Sequence, residues 1–398
     1  MQHRIIVLGA GYTGAFAAGR LAKRLHAEDV QITLVNAEAD FVERVRMHQV
    51  AAGQDLKPRP FAEMFAGTGV ELELAKVTAV DADAKTVAIT GADGAETLAY
   101  DTLVYALGSG WTDHGVAGAA DHAYEIASRP GALKLRDRLA RMDAGATVTV
   151  VGGGLTGVEA ATEFAEARPD LNVALIARGG LGDWVSPKGR AHLRKVFAKL
   201  GIDVHEHADV AEVRPDAVVT ADGTEIASAA TVWTTGFAVH PIAAATTMET
   251  TGRGQIVVGG DMASVSHPDV FAVGDAGYAI GDSGSPLRMS CASGIPMAQV
   301  AADAITARLT GAKAGKVPLG YFQQCISLGR SEGLIQFVTE DDQARSGSLR
   351  GRTAALYKEL ICKGAAWGVA NPTYGLPVRR RRTAKGAAHA GTAVKALA

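Results

Sequence analysis

Residues 147–178, TVTVVGGGLTGVEAATEFAEARPDLNVALIAR, replay residues 4–36, RIIVLGAGYTGAFAAGRLAKRLHAEDVQITLVN. That repetition restricts the chain to folds that hold the same strand–helix–strand unit twice. In the first copy an apolar, β-branched run from Ile5 to Leu8 reads as a buried strand, a helical pattern follows, and a second strand from Ile32 to Val35 closes on Asn36. Gly9, Gly11 and Gly14 sit between strand and helix in the spacing G-x-G-x-x-G, and Gly152, Gly154 and Gly157 repeat it. GAGYTGAFAA and GGGLTGVEAA share six residues in ten. The first glycine permits the tight turn, the second lets a pyrophosphate approach the backbone, and the third lets the helix pack on the strand. The helix N-terminus then faces the phosphates. A lone motif of this kind is weak, but between a strand and a helix, twice in one chain, it reads as two dinucleotide sites. The fold class that follows is α/β, with two Rossmann-like dinucleotide-binding domains and a small C-terminal β-containing region.

Composition narrows the rest. A length of 398 residues suits about two to three domains, and 47% hydrophobic residues supply large cores. A net charge of −2 gives no general attraction to nucleic acid. Cys291, Cys325 and Cys362 are far apart and form no C-x-x-C pair, which argues against a disulfide framework and a metal cluster. Ile5 opens a core strand almost at once, so no signal peptide is expected. With no long apolar run to span a bilayer, the expectation is a reduced, cytoplasmic chain.

Between the fingerprints, residues 37–53 lack periodicity and lie where the chain would pass a cofactor. Residues 70–91 alternate as a β-meander before a GADG turn at 91–94. Residues 129–145 and 186–200 read as helices, the latter with Leu193, Val196, Phe197 and Leu200 on one face. A strand at 202–206, a short meander at 210–227 and ATVWTTGF (230–237) close the second unit, and the chain returns through VFAVGDA (270–276). There Asp275 suits either a ribityl hydroxyl or a helix N-cap. Residues 294–309 read as a helix with Pro296 near its first position, followed by short strands and a helix at 349–363. Beyond Arg382 the Ala/Gly-rich, basic tail reads as disordered.

These segments resemble a known family. The two fingerprints, YALG (105–108), TTGF (234–237) and VFAVGDAG (270–277) occur in the order of the two-dinucleotide-binding-domain flavoproteins. GGGLTGVE and the PMAQVAA helix are similar to those of type II NADH:quinone oxidoreductases and their apoptosis-inducing-factor-like relatives. The likeness spans about residues 3–340. It implies an FAD-binding domain from 1–112 and 240–325, an NAD(P)H-binding domain from 113–239, a C-terminal region from 326–382 and a tail from 383–398.

The resemblance implies that FAD lies along the first unit, its pyrophosphate on Gly9, Ala10, Gly11, Tyr12, Thr13 and Gly14. Asn36 stands at the ribose position, where the family more often has an acid, and can still accept through its carbonyl oxygen. Val77 matches the adenine contact, Ala106 and Gly108 the YALG strand end, and Gly274 and Asp275 the ribityl contact. Met297 and Ala298 would approach the pyrimidine end of the flavin, where a helix N-terminus favours negative charge. Gly152, Gly154, Leu155, Thr156, Gly157 and Gly236 would hold the nicotinamide nucleotide. The acid that selects NADH is replaced by Ala177, and Arg178 follows. An arginine there suits a 2′-phosphate, so NADPH is favoured over NADH, with a solvated Arg178 as the alternative.

Glu159 is placed near the nicotinamide–flavin contact by the resemblance, and otherwise serves a helix N-terminus. The cofactors carry the hydride chemistry, from nicotinamide C4 to flavin N5. Disulfide reductases of this superfamily carry a cysteine pair after the first helix; here DFVERVRMH holds none, so acceptors meet the reduced flavin directly. Gln299 matches one glutamine of the quinone site, but a second, four residues on, is replaced by Asp303. That departure counts against the quinone site: Gln299 alone still suits a carbonyl oxygen, and suits a helix surface equally well. The acceptor that the resemblance implies is a quinone or similar small molecule. Alternatives are a reductase of a carrier protein such as a ferredoxin, and a low-turnover flavin redox sensor. From 343 to 398 the chain has eleven Lys/Arg and one acid, Glu359. Leu349, Thr353, Leu356, Leu360 and Trp367 roughly share a helical face. A peripheral contact with the inner face of the cell membrane through 349–382, whose anchor helix Gly364, Gly368 and Pro372 would shorten, stands against a helix packed on the flavin domain with a soluble tail. No metal is expected, no nucleic-acid partner, and a homodimer stays open.

Overall fold

The computed structural model describes residues 2–375 and 378–384. Ile5, Val7 and Leu8 are fully buried, because their strand, His3–Leu8, has parallel neighbours on both sides, Val30–Asn36 and Thr102–Tyr105. A strand covered on both faces is apolar where it is covered, and this one is from Ile5 to Leu8, with His3 and Arg4 at its half-buried start. The seven-stranded sheet runs in the order 270–272, 102–105, 3–8, 30–36, 70–81, 86–91, 94–99. Its last three strands form the antiparallel meander expected from the alternation at 70–91. Val270–Ala272 pairs with Thr102–Tyr105, so a segment distant in sequence completes the first sheet.

The second fingerprint builds a five-stranded parallel sheet in the order 203–205, 172–176, 147–151, 230–233, 123–125. Strands at 210–213, 217–220 and 225–227 form a separate antiparallel sheet. A second three-stranded antiparallel sheet, Gln323–Ser327, Gly333–Val338 and Ala344–Arg350, follows the long helix Cys291–Thr310. Two large cores result. One joins the first sheet to the helices Tyr12–Arg24 and Cys291–Thr310, and takes in Ala366 and Val369. The other joins the second sheet to Ile326, Leu328 and Leu334.

Three sequence expectations are corrected. The long helix starts at Cys291, not 294, because Ser290 caps it by accepting from the Ser293 N–H at 3.4 Å. Pro296 therefore lies inside the helix rather than near its first position, and removes the N–H that would reach the Ala292 carbonyl. The helix expected at 349–363 spans Arg352–Ala370, and Leu349 belongs to the preceding strand. Gly364 and Gly368 do not shorten it, since Cys362, Ala366 and Val369 bury one face.

Beyond this helix the chain folds back on the first unit. Arg381 pairs in parallel with Leu25. The Thr383 N–H donates to Asp29 Oδ2 at 2.9 Å and the Ala384 N–H to the Leu309 carbonyl at 2.8 Å. The rest of the tail expected from 383 onward, residues 385–398, lies outside the described residues.

Candidate functional site

Each fingerprint turn is closed on its protein side and open on its outer side. Gly9 has φ +87°, and a Cβ there would lie 2.5 Å from the Ala106 carbonyl oxygen. A Cβ on Gly14 would strike the Gly9 carbonyl. Gly11 caps the helix, is exposed and has nothing within 4 Å of a built Cβ. The second turn repeats this: Gly152 packs on Thr234, Gly157 on the Gly152 carbonyl, and Gly154 faces open space. Thr234 is held by donating to the Val151 carbonyl at 2.8 Å. Free helix N–H groups and the positive end of the helix dipole thus converge on each open face. That donor set suits a pyrophosphate, so the residues present fit a dinucleotide at each turn.

Other expected residues gather at the first turn. Asn36 Oδ1 accepts from the Ala10 N–H at 2.9 Å, so Asn36 already fastens the glycine loop. Tyr12 is buried edge-on against Phe41, 4.9 Å between centroids. Thr13 lies under Gly274, and its Cγ2 would meet a Cβ on Gly294 at 2.5 Å. Gly274 has φ +67° and Gly108 φ +69°, conformations glycine adopts without strain. Val77 is buried in its strand opposite Ile89, and Met297 and Ala298 are buried in the long helix.

Asp275 accepts from Ser109 Oγ at 2.6 Å, and Arg44 Nη1 lies 3.7 Å from its Oδ2. Arg44 donates to the Ser109 carbonyl at 2.7 Å and stacks 5.1 Å from the Phe237 ring centre. Burial lowers the Arg44 pKa, which Asp275 partly offsets. Arg44 and Ser109 escaped the sequence reading. The aperiodic stretch 37–53 marked the region of Arg44 without singling it out.

Glu159 does not stand alone. Fully buried, its Oε1 lies 3.0 Å from Lys358 Nζ and accepts from the Ser327 N–H at 2.9 Å. Lys358 also donates to the Cys325 carbonyl at 2.9 Å. Burial works against the charge on Glu159, but Lys358, His48 and the Ser327 amide prevail and hold its pKa below the ordinary value. Burial likewise opposes the Lys358 charge, and Glu159 reverses that. His48, buried beside the pair, is pulled by desolvation to about 4. One turn along from Glu159, desolvation raises Glu163 to about 7. Burial pushes Cys325 to about 11 and raises Cys291 and Cys362, so these thiols are poor nucleophiles near neutrality.

Gln299 is half-buried on the long helix. Four residues on, Asp303 is buried and bonded by Arg20, Nε to Oδ1 at 2.7 Å and Nη2 to Oδ2 at 2.9 Å. The position departing from the quinone pattern is therefore committed to the first fingerprint helix. Arg178 is 86% exposed, with Asp209 at 3.9 Å. Ala177 packs beneath Gly153, and Gly236 beneath His114. A cavity of about 370 Å³ opens at the second turn, lined by Gly154, Leu155, Trp184, Arg288 and Gln324. Thr156 follows in the first helical turn, half-buried.

Residues 3–304 match the model of the family described as pyridine nucleotide-disulphide oxidoreductase. The chain is 29% identical over 326 residues to an NADH dehydrogenase-like protein of Mycobacterium tuberculosis, covering 75% of this chain and 78% of that one. It is 28% identical over 330 residues to a type II NADH:quinone oxidoreductase of the same organism, covering 71% and 68%. Among solved structures, NDH2 of Plasmodium falciparum in complex with NADH superposes with a TM-score of 0.77 at 13% identity, covering 94% of this chain and 97% of that one.

Proposed function

The chain belongs to the pyridine nucleotide-disulphide oxidoreductase family, and from that premise we propose that it oxidises NADH or NADPH through FAD and reduces a quinone or similar small acceptor. It is an oxidoreductase with FAD and a nicotinamide nucleotide as cofactors. When bound, FAD supplies the ring that accepts hydride and releases electrons. In this reading 1–112 and 240–325 hold FAD, 113–239 hold the nicotinamide nucleotide, and the region from 326 covers the junction.

The supporting observation is the pair of glycine turns, packed shut at Gly14 and Gly157 and open at Gly11 and Gly154. Asn36 fixes the first loop, and Asp275, steadied by Ser109 and Arg44, offers a carboxylate to hydroxyls of the FAD chain. Met297 and Ala298 floor the flavin end. Arg178, exposed at the end of the second strand pair, is free to meet a 2′-phosphate, which favours NADPH over NADH. The Glu159–Lys358 pair holds a proton and its countercharge in a dry setting beside the second turn. Gln299 offers an amide to an acceptor carbonyl.

The acceptor follows from three features. DFVERVRMH carries no cysteine, and the three cysteines elsewhere, Cys362 buried and Cys291 and Cys325 half-buried, all have raised pKa values. That supports electron transfer from the flavin directly to the acceptor. Leu356, Leu360 and Trp367 on the C-terminal helix are 67%, 68% and 52% exposed. An apolar face of that size beside a basic segment favours peripheral contact with an anionic membrane, where lipid quinones reside. Among the described residues no helix is long and apolar enough to cross a membrane.

Gly11→Ala and Gly154→Ala test the reading. Neither Cβ meets protein, so both variants fold, but each Cβ occupies the path of a pyrophosphate. Gly11→Ala should lose bound flavin on dialysis, and Gly154→Ala should keep flavin while its Kd for the nicotinamide nucleotide rises at least tenfold. Wild-type retention of both ligands would remove the assignment.

A further inference from the structure

Away from both glycine turns, the returning tail roofs a cleft of about 230 Å³ lined by Arg24, Asp303, Thr306, Lys313, Arg379 and Arg381. Its cations outnumber its acid four to one. The one carboxylate is already engaged: Arg20 bonds both oxygens of Asp303, and Arg24 Nη1 lies 3.1 Å from Oδ1. Arg24 itself is lowered in pKa, first by burial and then by Arg20, with Arg381 adding to the repulsion. Like charges are thus gathered on a small enclosed space.

The tail is fastened in a way that fixes this geometry. The Arg381 N–H donates to the Arg24 carbonyl at 2.8 Å, and its carbonyl accepts from the His26 N–H at 3.1 Å. Arg382 pairs outward with Glu28 and Asp29. Extended chain alternates its side chains, so Arg379 and Arg381 share the cleft side while Arg382 takes the other. Lys313 also lines the cleft, just past the left-handed Gly311 that ends the long helix. The volume lies below the roughly 300–1,000 Å³ typical of larger organic ligands, yet exceeds the share of a few waters at about 30 Å³ each.

We propose that this cleft is an anion site that binds a phosphoryl group, either free phosphate or the phosphate of an anionic lipid headgroup. Guanidinium forks at Arg24, Arg379 and Arg381 match phosphoryl oxygens, and Lys313 adds a point charge. A bound phosphoryl group relieves the repulsion between Arg24 and Arg381 and clamps the tail to both helices. The exposed apolar helix precedes this tail in the sequence, so the lipid source would join a headgroup site to an insertion face.

The test uses the full-length, flavin-loaded protein saturated with NAD⁺, so that the dinucleotide turns are filled. Inorganic phosphate is titrated by calorimetry at ionic strength held constant with chloride, and flotation is measured with phosphatidylglycerol and with phosphatidylcholine vesicles. Saturable phosphate binding that weakens at least tenfold in Lys313→Gln/Arg381→Gln supports the site with a free-phosphate source. No phosphate binding, but flotation with phosphatidylglycerol alone that falls at least tenfold in the same variant, supports the headgroup source. Wild type and variant behaving alike in both arms overturns the proposal, as does wild type binding neither probe. Arg379→Gln, at an exposed position, gives the same readout if the double variant loses flavin or fold.

Discussion

Glu159 and Lys358 form a buried ion pair, 3.0 Å apart, that ties the second fingerprint helix to the C-terminal helix. Removing one partner strands the other charge in a dry site, a loss of about 3–5 kcal/mol. Lys358→Met is therefore expected to lower unfolding stability by that order in urea titration. Glu159→Gln/Lys358→Met should recover more than half of it. A double variant no more stable than Lys358→Met would mean the pair is not coupled.

The same cluster sets opposing pH dependences. His48 is held near 4 by burial, below its unfolded value of about 6.5. Its unfolded form binds protons more readily, so its contribution is full above about pH 6.5 and is lost as pH falls towards 4. His48→Gln should flatten the fall of Tm across that window.

Glu163 runs the other way. Its pKa of about 7 exceeds the unfolded value of about 4.3, so its contribution is full below that value and lost as pH rises through 7. Glu163→Gln should raise Tm at pH 8 and leave it nearly unchanged at pH 4. The donor, Gln54 Nε2, keeps an acceptor in the variant. Equal Tm values at pH 8 would contradict the shift.

Nucleotide choice is predicted to rest on Arg178. Because its side chain is 86% exposed, Arg178→Ala should leave stability within about 0.5 kcal/mol. It should reduce kcat/KM for NADPH about tenfold or more while sparing NADH. An unchanged ratio of the two would return Arg178 to a solvated role.

Both glycine turns, the parallel sheets and the meander were legible in the sequence, because each is written in local spacing and periodicity. What escaped was set by contacts between distant segments. Nothing near Glu159 announces Lys358, and nothing near Asp275 announces Arg44 or Ser109. Asp303 read as a departure from a quinone pattern; in the fold it is the anchor for Arg20 and Arg24. Pro296 misled because proline is common at a first helical turn, whereas the Ser290 cap lies further upstream. The C-terminal helix outran its two glycines because tertiary burial of Cys362, Ala366 and Val369 outweighs their low helix propensity.

In the proposed reaction electrons leave the flavin directly for a small acceptor, without a thiol relay. Stopped-flow absorbance of the flavin band, in wild type and in Cys291→Ala/Cys325→Ala/Cys362→Ala, tests it most directly. Rapid bleaching by NADH or NADPH, followed by reoxidation with a soluble quinone at rates within about twofold in the two proteins, is the predicted result. Bleaching without quinone reoxidation in the wild type, or reoxidation that disappears with the cysteines, would contradict it.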